Sequence, residues 1–112
     1  MYSTQLKVYR RVRDDAARED KIEATHTYII EGYIEPAGMS SIAPFDASIG
    51  APFNVYFQDA RDMDIRDGYK IENASDPTDY YIITSIIEKH QLGGSFSYQL
   101  AVYKPKPDTI KV

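Results

Sequence analysis

The chain has no cysteine and no tryptophan, and only two histidines among its 112 residues. Without thiols there is neither a disulfide framework nor a thiolate metal centre, so a domain of this size must gain its stability from packing or from association. Positive charge is also short. The 13 Lys and Arg stand against 17 Asp and Glu, a net charge of -4, which is a poor footprint for sequence-independent binding of nucleic acid. Met1 to Val12 holds no continuous apolar stretch of the signal-peptide kind, and no run approaches roughly 18 apolar residues, the length that spans a bilayer. The expectation is a soluble domain used in a cytoplasm-like setting, with no membrane partner.

Constellations suited to catalysis are missing too. His26 and His90 have no Cys, His or carboxylate at metal-ligand spacing within a recognisable motif. Asp59, Asp62, Asp64 and Asp67 invite a calcium reading, but the spacing lacks the glycine at the sixth position and the glutamate at the twelfth that an EF-hand loop needs. Arg61 and Arg66 interleave with them, as expected of a solvated turn. Neither Ser40 and Ser41 nor Ser95 sits in a nucleophile-elbow sequence, and Gly93-Gly94 belongs to a hairpin and not to a phosphate cradle. We expect no catalytic residue, no resident metal and no cofactor.

What the sequence has in quantity is tyrosine: ten, with four phenylalanines. Rings with a polar tip suit a half-buried pleated surface, where the ring packs and the hydroxyl stays wet. Period-2 alternation follows. Leu6, Val8, Arg10 and Val12 alternate with Lys7, Tyr9, Arg11 and Arg13 as a first strand. Asp14 to Glu23 reads as one helical turn or an excursion between strands. Thr25 to Glu35 is a second strand, in which Gly32 signals a bulge or a close backbone approach. Phe53, Val55 and Phe57 mark a third, followed by a polar, acidic turn from Asp59 to Asp64. Tyr69 and Ile71 mark a short fourth after Asp67-Gly68. Tyr80 to Lys89, apolar on both parities, reads as a strand buried on both faces or central in its sheet. A turn at Leu92 to Ser95 leads into the last strand, Phe96 to Val102, and residues 104–112 form an exposed tail. Six strands with hardly any helix make an all-β fold, a small antiparallel barrel or sandwich in one domain, residues 1–112.

Ala37 to Gly50 stands apart. A long loop is unusual inside a compact domain unless it is functional or disordered, and Met39, Ile42, Phe45 and Ile49 are more apolar than a solvated linker needs.

The order of segments resembles the head-closure (head-tail joining, or stopper) proteins of long-tailed bacteriophages. The likeness is carried by Val8-Tyr9-Arg10, by Gly32-Tyr33-Ile34-Glu35-Pro36, by Tyr56-Phe57, by Asp64-Ile65-Arg66-Asp67-Gly68-Tyr69-Lys70-Ile71 and by Tyr80-Tyr81-Ile82-Ile83, and it spans Leu6 to Tyr103. Its motifs are short and degenerate. Many relatives read Gly-Asp-Arg-Ile at Gly68-Tyr69-Lys70-Ile71, and residues 14–23 have no obvious counterpart. The resemblance implies a β-barrel of about six strands, with at most one short helical turn and a long loop between strands 2 and 3. It implies a virion protein of the phage neck, made in the bacterial host cytoplasm. Such a protein forms a ring with copies of itself under the portal and its adaptor ring, closes the DNA-filled head, and offers a docking surface to a tail terminator or tail tube. The loop matching Ala37 to Gly50 would face the channel and neighbouring copies through Met39, Ser40, Ser41, Ile42, Phe45, Asp46 and Ile49, touching packaged DNA sterically. Arg10, Arg11, Arg13, Asp64, Arg66 and Asp67 are the candidates for docking the partner rings. The alternatives are an OB-like or SH3-like barrel binding nucleic acid or peptide, or another connector such as a tail terminator.

Overall fold

Alternating side chains resolve into eight strands in a computed structural model that describes residues 3–37 and 50–106. They are β1 (Thr4–Tyr9), β2 (Arg11–Asp14), β3 (Glu19–Ile22), β4 (Tyr28–Pro36), β5 (Gly50–Asp59), β6 (Lys70–Asn73), β7 (Asp76–Leu92) and β8 (Ser95–Pro105). Six of them close an antiparallel barrel in the order β1-β4-β5-β8-β7-β6, with β6 pairing back onto β1. β2 and β3 form a separate two-stranded arm. The all-β expectation and the antiparallel barrel of six strands are what the chain adopts, and no helix occurs among the described residues.

Closure puts one parity of each strand inside. Leu6 and Val8 of β1, Ile30 of β4, Val55 and Phe57 of β5, Ile71 of β6, Tyr81 and Ile83 of β7, and Tyr98, Leu100 and Val102 of β8 fill the interior. Phe57 stacks on Tyr98 with centroids 4.5 Å apart, and Phe53 meets Tyr81 edge-on at 5.3 Å. Gly32 lies on the inward parity of β4 against β5, where a Cβ would stand 2.8 Å from the Tyr56 carbonyl oxygen and 3.1 Å from the Phe57 Cβ. The close backbone approach expected there is real, and the missing side chain is what lets β4 and β5 meet.

Four local readings change. The first strand is not continuous to Val12: at Arg10 the chain leaves the barrel, and its partner changes from β4 to β3. Residues 14–23 are the excursion between strands and hold no helical turn. Arg11 to Asp14 pair with Ile22 to Glu19, so this stretch is the outer half of a hairpin. The turn after β5 is not merely polar. Met63 and Ile65 point inward and are buried, with Asp62, Asp64 and Arg66 outward, so the segment crosses from β5 to β6 as a plug over one barrel mouth. Finally, β7 is central, between β6 and β8, but it is not buried on both faces. Only Tyr81 and Ile83 are buried, and every residue from Thr84 to Leu92 is exposed. Its last half runs past the end of β6, which pairs only with Asp76 to Ile82, so β7 projects beyond β6 while β8 stays paired with both β7 and β5.

The plug is tied down by polar groups. The Tyr98 hydroxyl accepts from the Met63 N–H and donates to the Arg61 carbonyl, both at 2.8 Å. Asp64 N–H donates to the Tyr28 hydroxyl at 3.2 Å, and Lys89 Nζ donates to the Met63 carbonyl at 3.2 Å while pairing with Asp62. Tyr98→Phe leaves the ring stack intact but deprives a buried N–H of its acceptor, so it should lower stability by about 1–3 kcal/mol. Urea unfolding of the two proteins measures this, and an unchanged midpoint would mean that the hydroxyl does not hold the plug.

Candidate interaction surface

Register assigns the loops to two opposite mouths. At one mouth lie Thr4, the turn at Ala74 and Ser75, Ala37, Gly50 and Pro105: Ala74 N–H donates to the Gln5 carbonyl, Ala37 N–H donates to the Pro52 carbonyl at 3.1 Å, and Gly50 pairs with Pro105. At the other lie the β2–β3 arm, the plug and the β7–β8 hairpin. Lys104 and Pro105 belong to β8 and not to a free tail. The candidate channel residues Met39, Ser40, Ser41, Ile42, Phe45, Asp46 and Ile49 lie outside the described residues, but the two ends of their segment are both anchored at the first mouth.

The docking candidates gather at the second mouth. Arg10 pairs with Glu23 at 2.6 Å, and Arg66 pairs with Asp64 at 3.0 Å. The Arg11 stem lies over Gly68, next to Asp67, so close that a Cβ on that glycine would stand 2.9 Å from the Arg11 Cδ. The Asp64 carboxyl is held below its ordinary range chiefly by the hydrogen bond from Arg66, and the charges of Lys89 and Arg10 act in the same direction. Arg10, Arg11, Asp64, Arg66 and Asp67 therefore form one charged rim, brought from the β1–β2 junction and from the β5–β6 crossing. Arg13 lies farther out on the arm, beside Asp15 at 3.7 Å and Asp20 at 3.9 Å.

Three of the four aspartates that invite a calcium reading, Asp59, Asp62 and Asp64, are engaged by cations instead. Asp59 takes the Arg61 guanidinium at 2.8 Å, which keeps its carboxyl below the ordinary range, and Asp62 takes Lys89. Among the described residues no three His, Cys, Asp or Glu side chains are grouped to hold a metal ion. His26 meets the edge of Tyr9, and His90 Nδ1 lies 2.9 Å from Glu88.

A second surface was not singled out in the sequence. The outer faces of β4, β5, β8 and β7 form an open groove of about 640 Å³, lined among others by Glu31, Tyr33, Tyr56, Gln58, Glu88 and Gln99. Gln99 donates to the Tyr56 hydroxyl at 3.3 Å. Burial, and then a hydrogen bond to Glu35, raise the Tyr56 phenol above its ordinary value. The groove presents two carboxylates, and among the described residues no Lys or Arg lines it. No family model, curated protein or solved structure matches the chain.

Two sequence signals could have found these surfaces. The alternation Asp62-Met63-Asp64-Ile65-Arg66 is period-2 patterning within an apparently polar turn. Likewise Tyr33, Tyr56 and Gln58 share the outward parity of adjacent strands, but their meeting needs the β4–β5 register, which pairs Tyr33 with Tyr56.

Proposed function

We propose that this chain is a structural subunit of the head-tail connector of a long-tailed phage, forming a ring that closes the DNA-filled head and docks the tail. The observation that carries the reading is the placement of its surfaces. The barrel interior is filled by its own side chains and one mouth is plugged by Met63 and Ile65, so what the chain does it does from outside. Ala37 and Gly50, which flank the segment carrying Met39, Ile42, Phe45 and Ile49, lie at one mouth, and the charged rim from Arg10 to Asp67 stands at the other. A subunit with two different ends suits a ring held between two different partners, an adaptor ring and a tail component, with packaged DNA met sterically.

The sequence resemblance supplies the identity of those partners, and the exposed β7–β8 hairpin supplies surface for neighbours. Ile86, Ile87 and Leu92 are large apolar side chains left in solvent on it. The peptide-binding alternative is favoured by one observation, the tyrosine-lined groove. Nucleic acid in that groove is disfavoured, because Glu31 and Glu88 line it.

Replacing residues 38–49 by a short Gly-Ser link, with Ala37 and Gly50 retained, tests the stopper role. Shortening a loop alters its closure entropy by only about 1 kcal/mol, so the barrel should stay folded. Filled heads carrying the shortened protein should lose their DNA to nuclease. Heads that stay full would count against the proposal.

A further inference from the structure

The arm ends in a cation, Arg18, that pairs with no group among the described residues. Asp14 pairs with Glu19, leaving Asp15, Ala16, Ala17 and Arg18 as the connecting loop. The Asp14 Oδ1 accepts from the N–H groups of Ala16 and Ala17, at 3.2 and 3.4 Å, which folds the first half of the loop. Closing the second half puts Arg18 at φ 56, in the left-handed region where Gly or Asn is the easier residue. The other cations of the arm are answered in place: Arg11 by Asp20, Arg13 by Asp15 and Asp20, Lys21 by Asp14. Among the described residues Arg18 has no ion pair or side-chain hydrogen bond, and it is exposed.

The groove on β4, β5, β8 and β7 has the opposite deficiency. Two carboxylates and two tyrosine rings face it, and among the described residues no Lys or Arg lines it. Glu31 is exposed and has no cation partner among the described residues, Glu88 has only His90, and Tyr33 leaves 39% of its surface in solvent. A guanidinium seated there would donate a charge-assisted hydrogen bond to the carboxylate and gain a ring face to stack on.

An arm cannot fill the groove of its own barrel. Arg11 lies over Gly68, at the approach to β6, and in the closed strand order β6 stands three strands away from β5, on the opposite flank. Four residue pairs make an arm about 13 Å long, which extends away from the barrel and does not wrap it. Ala16 and Ala17 precede Arg18 with small side chains, so that side of the tip is narrow enough to enter a shallow groove.

We infer that the arm of one copy docks in the outer groove of the next, with Arg18 set between the Tyr33 and Tyr56 rings and the Glu31 carboxylate. The contact is head-to-tail, joining two different patches on opposite flanks of one barrel, and repeated contacts of this kind close into a ring when the rotation permits. This rests on the proposed reading of the chain as a ring subunit, and it names the residues that would join neighbours.

The absence of cysteine makes a clean test. Ala17→Cys and Gln58→Cys are made in separate full-length chains, retaining Arg18 and Glu31, and are mixed and oxidised. The mixed disulfide should exceed either self-disulfide at least tenfold. Adding Arg18→Glu to the first chain should cut its yield about tenfold, and adding Glu31→Arg to the second should restore it. Cross-linking in random proportions, no cross-linking, a yield indifferent to Arg18→Glu, or a yield that the double exchange fails to recover would each overturn the contact. Random or absent cross-linking in a protein that still seals filled heads would remove the arm–groove contact and leave the stopper reading. Selective cross-linking in a protein that seals nothing would do the reverse.

Discussion

Leu100→Ala should lower the free energy of unfolding by about 2–5 kcal/mol, the range for deleting most of a buried leucine and leaving a cavity. Leu100 is at 0% exposure in the middle of β8, between Val55 of β5 and Ile86 of β7, and belongs to the cluster that fills the barrel. Leu92→Ala removes the same atoms from the same hairpin, but Leu92 is 60% exposed at its tip, so its effect should stay within about 0.5 kcal/mol. Urea unfolding of the two variants separates a barrel whose core ends near Ile83 from one in which β7 and β8 are buried along their whole length. Equal losses would contradict the projection of β7 beyond β6.

Gly50→Ala should cost about 2–5 kcal/mol, because two penalties meet there. Gly50 has φ +156, which a side chain rarely adopts, and a Cβ would lie 2.2 Å from the Lys104 carbonyl oxygen and 3.1 Å from the Pro105 Cα. Those are backbone atoms of a paired strand and cannot turn aside. Strained dihedrals cost roughly 1–3 kcal/mol and overpacking about as much again. Gly94→Ala is the control. A Cβ there meets nothing within 4 Å, so the change should be nearly neutral. Since Gly50 is the residue at which segment 38–49 rejoins the barrel, Gly50→Ala should also loosen the mouth where that segment is rooted. Equal midpoints for the two variants would mean that β5 and β8 do not approach so closely there.

The strands were legible because pairing needs only period-2 alternation, and Gly32 was legible because a glycine on an inward parity has few uses except close approach. The alternation at Val8 to Val12 is unbroken, however, and local pattern does not reveal a change of partner. It therefore could not say that β1 ends at Tyr9 and that Arg11 pairs with Ile22. Residues 14–23 carry Ala16 and Ala17, good helix formers, but Asp14 folds its side chain back onto Ala16 and Ala17 as a turn, and the charges pair across the arm. Ile86 and Ile87 read as core because apolar residues usually are. Their exposure follows from the length of β7 relative to β6, a property of the assembled sheet. The charged candidates Arg10, Arg11, Asp64, Arg66 and Asp67 were found by motif, and only the crossing from β5 to β6 brings them to one rim.

The stopper reading is tested most directly by adding the purified chain to phage heads that are filled with DNA and carry portal and adaptor but no neck or tail, then measuring the DNA that survives nuclease. The account predicts that heads supplied with the protein keep their DNA and that untreated heads lose it. Binding of the protein without any protection, or equal retention with and without it, would contradict the account.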